Sequence, residues 1–148
     1  MNSRLDAIDP ALARIITDQT TTKQRAVALA VAEWVTRRFG LDDSRIQDVL
    51  VAGRNRQFGA GPEREALRVL VEELDERAWN IQDQDQDDGG AETQAYLEAF
   101  SLARAADASW CSLELNATEA ALETVYEAQA ATGEVGEVQQ VVLGIVHV

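Results

Sequence analysis

The chain has 148 residues, 46% of them apolar, with 13 basic against 26 acidic side chains and a formal net charge of −13. That length corresponds to about one domain able to bury its own core. A single cysteine, Cys111, and a single histidine, His147, exclude an intrachain disulfide, a cysteine metal cluster and a multi-histidine centre.

In chain order, Asp9-Pro10 reads as an acidic cap followed by proline at the first helical position, opening a helix over residues 10–18. Thr21 with Gln24 forms the pattern of a capping box for a second helix over residues 22–39. Its apolar positions Val27, Val31, Trp34 and Val35 follow the 3.6-residue period, and Gly40 stops it. Asp42 or Asp43 caps a third helix over 43–52, with Ile46, Val49 and Leu50 inward and Gly53 as terminator. Three glycines and a proline between Gly53 and Pro62 predict a loop.

Pro62 then opens the longest helix, 62–82, striped by Leu67, Leu70, Val71, Leu74, Ala78 and Ile81. The stretch from Asp83 to Gly90 reads as an acidic connection. A fifth helix over 91–112 is expected to turn Ala95, Leu97, Phe100, Leu102, Ala103 and Ala106 inward. Asn116 with Glu119 introduces a sixth helix that runs to Ala131 and is closed by Gly133. The tail from Val138 to Val148 suits either a helical face or a β-branched strand. Helix is favoured, because nothing upstream offers a strand to pair with. The expectation is one all-α domain over residues 1–148, with six or seven helices in a bundle or irregular array.

The charge is unevenly placed. Residues 1–62 hold nine Lys/Arg and seven Asp/Glu, whereas residues 63–148 hold four and nineteen. An acidic surface of that kind attracts basic proteins and cations and repels a phosphate backbone, so direct nucleic-acid binding is not expected. The opening residues carry no apolar targeting segment and no run approaches eighteen apolar residues, so neither a signal peptide nor a membrane span is expected, and a cytoplasmic protein is the default reading.

Asp83-x-Asp85-x-Asp87 matches the opening of a calcium loop. The remainder of that motif fails, because Asp88 stands where the tight turn needs glycine and Gln94 where a bidentate glutamate is needed. Glu119, Glu123 and Glu127, spaced by four, align three carboxylates on one helical face, and Glu72, Glu73, Asp75 and Glu76 form a second cluster beside Arg77. Neither cluster shows the asymmetry of an acid–base pair. Arg37, Arg38, Arg45, Arg54 and Arg56 form an opposite, basic pole, too dispersed for a nucleic-acid site and suited to pairing with the acidic half. Cys111 reads as a small buried helical residue. Trp34 and Trp110 read as core, and Trp79, beside the main stripe of its helix and just before the acidic run, as an aromatic anchor rimmed by carboxylates.

These features point to an acidic protein-binding module docking a basic protein, in the manner of an inhibitor or immunity protein, with no enzyme activity and no cofactor or metal. The candidate contact residues are Glu72, Glu73, Asp75, Glu76, Trp79, Asp83, Asp85, Asp87, Asp88, Glu119, Glu123 and Glu127. The alternatives are a structural or adaptor protein without catalysis and a nucleic-acid mimic with carboxylates at phosphate-like separations.

Overall fold

Eight helices are present in a computed structural model that describes residues 3–87 and 93–148, and no strand occurs among the described residues. They are α1 (Arg4–Ile8), α2 (Pro10–Thr17), α3 (Thr21–Arg38), α4 (Ser44–Arg54), α5 (Pro62–Asp87), α6 (Gln94–Ser112), α7 (Ala117–Thr132) and α8 (Val135–Val146). The count exceeds the six or seven expected because a short N-terminal helix precedes Asp9. Ser3 caps it reciprocally with Asp6, satisfying two of the amides that a five-residue helix leaves without partners.

Most boundaries follow the capping chemistry. The Asp9 carboxylate accepts from the Leu12 amide, Asp43 from Arg45 and Asn116 from Glu119, while Gly133 closes α7 at φ +65°. Three boundaries correct the sequence reading. Thr20, one residue earlier than expected, caps α3 by accepting from Lys23. Gly53 lies inside α4, and the chain turns instead at Arg56 (φ 59°) and Gly59 (φ 88°). The acidic stretch from Asp83 is not a connection at its start, since α5 continues through Asp87; Asp88, Gly89 and Gly90 lie outside the described residues. The tail forms α8, as the lack of a strand partner implied.

Helix α7 is the axis of the array. It buries Ala120, Ala121, Leu122, Thr124, Val125, Ala128 and Ala131 and packs against α1, α2, α3, α6 and α8. Its broadest contact is with α6, whose inward face is Ala99, Ala103, Ala105, Ala106 and Ala108. Alanine on both partners allows a short interaxial distance. Of the residues expected inward on this helix, Ala103 and Ala106 are buried and Phe100 and Leu102 half-buried, whereas Ala95 and Leu97 face solvent.

Two apolar clusters result. The larger joins α1, α2, α3, α6, α7 and α8 around Leu5, Ile16, Val27, Val31, Val125 and Val138. The smaller joins α3, α4, α5 and α6 around Ile46, Val49, Leu67, Leu70 and Val71, with Leu74 half-buried against it. Between α2, α3 and α7, the buried Gln24 carboxamide donates to the Ile16 carbonyl at 3.1 Å and accepts from the Thr118 hydroxyl at 3.0 Å. The Gly53–Pro62 region is fastened to the α6–α7 connection. The Gly59 amide donates to the Leu113 carbonyl at 2.7 Å, and the Arg25 guanidinium stacks 3.7 Å from the Phe58 ring while donating to the Glu114 and Leu115 carbonyls.

Candidate functional site

The densest concentration of charge lies where α5, α6 and α7 meet α1. On α7, Glu123, Tyr126, Glu127 and Ala130 fall at helical three- and four-residue spacing and therefore share one face. The same spacing brings Tyr96, Phe100, Arg104 and Asp107 together on α6, and Asp75, Ala78, Trp79 and Gln82 on α5. Arg4 reaches in from α1. Ten of these side chains, with Arg4, line a cleft of about 380 Å³ walled by Trp79, Tyr96, Phe100 and Tyr126.

Glu127 is the floor of the cleft and has no solvent exposure. Both its oxygens are occupied by guanidinium groups: Arg4 Nη2 donates to Oε1 at 2.9 Å and Arg104 Nη1 to Oε2 at 3.0 Å. Arg4 also pairs with Glu123, and Arg104 reaches Asp75 at 2.5 Å and Asp107 at 3.2 Å. Burial alone would lower the pKa of both arginines. The Glu123 and Glu127 contacts of Arg4, and the Glu127 charge and Asp75 hydrogen bond of Arg104, override it and raise both. Two cations thus tie together four carboxylates.

Asp107 is the exception among those carboxylates. Burial, then the adjacent Glu127 charge, pushes it up to about 7 against the opposing pull of Arg104, so it holds a proton far above the usual carboxylate range. Together with Arg4 and Glu123, Asp107 lines a second cleft of about 890 Å³ with Asp6, Cys111, Glu114 and Glu119. Burial, reinforced by Asp107 and Glu127, raises the Cys111 thiol, which keeps it in the unreactive protonated form. The cysteine is buried, as expected.

The twelve sequence-selected residues separate into distinct surroundings. Glu72, Glu73, Glu76 and Asp83 are exposed on α5; Glu72 accepts from Arg68 at 2.5 Å, and Glu73 lies 3.6 Å from Arg45. Trp79 is 64% exposed and forms one wall of the first cleft. Asp75 is half-buried in that cleft, held by Arg104. Asp83 and Asp85 stand two apart on a helix and so do not face each other, which removes the geometry of a calcium loop. Asp85 instead accepts from the amide and hydroxyl of Thr93, next to the start of α6. Asp87 ends α5, and Asp88 lies outside the described residues.

The aligned glutamates of α7 require a correction. Only Glu119 is exposed; Glu123 is partly covered and paired with Arg4, and Glu127 is interior, so the three do not form an open acidic ridge. Arg4, Tyr96, Arg104, Asp107 and Tyr126 have no role in the expectations from sequence, and Phe100 figures there only as an inward-facing residue of its helix. One signal was present: Arg104 is the only Lys or Arg after Arg77, a lone cation among acids on a helix with aromatic residues four and eight positions before it.

The basic pole is largely consumed by internal pairing. Arg38 meets Glu137, Arg45 meets Asp43 and Glu73, and Arg54 meets Glu33. Among the described residues no group of three or more His, Cys, Asp or Glu side chains is placed to hold a metal ion, and no helix is long and apolar enough to cross a membrane. Comparison of the chain with protein-family models, curated proteins and solved structures finds no match to any of them.

Proposed function

We propose that this protein is an acidic helical binding module that docks a basic protein through the outer face of α5, in the manner of an inhibitor or immunity protein. The observation that carries the reading is Trp79, 64% exposed on a helix whose outer positions Glu72, Glu73, Glu76 and Asp83 are also exposed. A large aromatic surface left in water costs free energy that association recovers, and a rim of carboxylates selects a positive partner and speeds its approach.

The test is affinity capture from the source cell at low and moderate salt, followed by binding kinetics with whichever stoichiometric partner is recovered. The combined Glu72→Gln, Glu73→Gln and Glu76→Gln variant should slow association and flatten its salt dependence, since long-range steering is lost. Trp79→Ala should instead raise the off-rate. Absence of any partner at either salt concentration, or an on-rate unchanged in the triple variant, would overturn the reading.

A further inference from the structure

We propose that the aromatic-walled cleft between α5, α6 and α7 is a receptor pocket for one lysine or arginine side chain of the basic partner, taken in beside Trp79. The inference rests on the docking reading above and adds to it a defined pocket and a defined ligand chemistry.

Three observations converge on a cationic side chain. The first is shape and lining: about 380 Å³ open to solvent, with Trp79, Tyr96, Phe100 and Tyr126 around it and the Tyr96 and Phe100 rings 6.1 Å apart, tilted by 36°. Aromatic faces carry negative potential and hold the methylene stem and charged head of a long cationic side chain.

The second is charge. The lining itself balances Arg4 and Arg104 against Asp75 and Glu127, and Glu123, paired with Arg4 just outside it, leaves the cluster as a whole negative even with Asp107 protonated. An anion entering the cleft would therefore find no excess of positive charge to hold it. The two arginines do not offer themselves to an anion, because each is already bound to carboxylates of the cluster.

The third is a place for the cationic head. Asp75 receives Arg104 through Oδ1 alone among the described residues, which leaves Oδ2 as an acceptor on a half-exposed side chain that lines the cleft. The rings already serve this chemistry within the chain: Arg4 lies 4.2 Å from the Tyr126 centroid and Arg104 5.9 Å from that of Phe100. Trp79 and Tyr96 have no such cation among the described residues, and Trp79 is the most open of the four rings.

The experiment titrates the isotopically labelled full chain with Nα-acetyl-lysine amide, Nα-acetyl-arginine amide, the neutral isostere Nα-acetyl-norleucine amide and Nα-acetyl-glutamate amide, following backbone and indole NMR signals. Expected are saturable shifts confined to Asp75, Trp79, Gln82, Tyr96 and their neighbours for the two cations, at least about fivefold tighter than for norleucine. Asp75→Asn should weaken the cations and leave norleucine unchanged. Trp79→Ala and Tyr96→Ala, both at solvent-accessible positions, should weaken all three while the circular dichroism spectrum stays the same.

Equal binding of norleucine, preferential binding of glutamate, or absence of localised saturation across the millimolar range each overturns the pocket. Failure here is separable from failure of the docking reading. A captured basic partner with no lysine or arginine response removes the pocket alone. A lysine or arginine response with no captured partner removes the docking reading and leaves the pocket as a cation site.

Discussion

Replacing Glu127 by glutamine removes one charge and almost no volume from the centre of the Arg4–Arg104 cluster. Breaking a buried ion pair by deleting one partner typically costs about 3–5 kcal/mol. Several features here reduce that figure. The Arg4 side chain is 50% exposed and keeps Glu123, so water and a second carboxylate compensate it; Arg104 is 19% exposed and keeps Asp75 and Asp107. Glutamine still accepts from one guanidinium, and Asp107 is relieved of a like charge. The expected loss is therefore about 2 kcal/mol, which lowers the melting temperature by about 4–8 °C in a chain of this size. Urea unfolding followed by far-UV circular dichroism measures it, with Glu119→Gln, exposed on the same helix, as a control expected within about 0.5 kcal/mol of the parent. A Glu127→Gln variant as stable as that control, with the same denaturant slope, would refute the claim that this carboxylate holds α1, α6 and α7 together.

Asp107 holds its proton to about pH 7 in the folded chain and to about pH 4 when unfolded, so stability falls as pH rises between those values and is flat above them; Asp107→Asn should be more stable than the parent at pH 8 and nearly equal to it at pH 4. Thermal unfolding of both proteins at the two pH values checks this, and an equal difference at both would contradict it. Gly133→Ala should cost about 1 kcal/mol from backbone strain at φ +65° alone, since an added Cβ meets nothing within 4 Å, and urea midpoints with an unchanged slope would register it. Millimolar calcium and a chelator should give melting temperatures within a few degrees of each other, because Asp83 and Asp85 point to different sides of α5.

Local chemistry made the helices legible and left the site obscure. Asp9-Pro10, Asp43, Asn116 and Gly133 mark helix ends through interactions spanning three or four residues, and each holds in the structure. Gly53 failed as a terminator because α4 has tertiary support there, Leu29 and Leu113 lying 3.5 Å from where its Cβ would be. The cluster around Glu127 is assembled from residues 4, 75, 104, 107, 123 and 127, and no short window contains it. A four-residue spacing of glutamates states that they share a face of α7. It does not state which neighbour that face meets, and Arg4, 123 residues away in sequence from Glu127, determines the answer. Trp79 was legible for the complementary reason: it stands beside its helix's apolar stripe, so exposure follows from α5 alone.

The sequence asymmetry of charge is not the asymmetry of the folded surface. Arg4, Arg38 and Arg45, from the nearly neutral first half, pair with Glu123 and Glu127, with Glu137 and with Glu73 of the acidic half. Arg64, Arg68 and Arg104 engage Glu114, Glu65, Glu72 and Asp75 within the acidic half. What remains without an ion pair among the described residues includes Glu76, Asp83, Glu98, Glu119 and Glu134, all exposed. Glu76 and Asp83 bracket Trp79 on α5, one turn to each side, whereas Glu119 and Glu134 sit at opposite ends of α7. A basic partner attracted by the whole molecule's field would therefore find its remaining unpaired carboxylates and its largest exposed aromatic together at only one of these places, the second half of α5, where the cleft opens beside them.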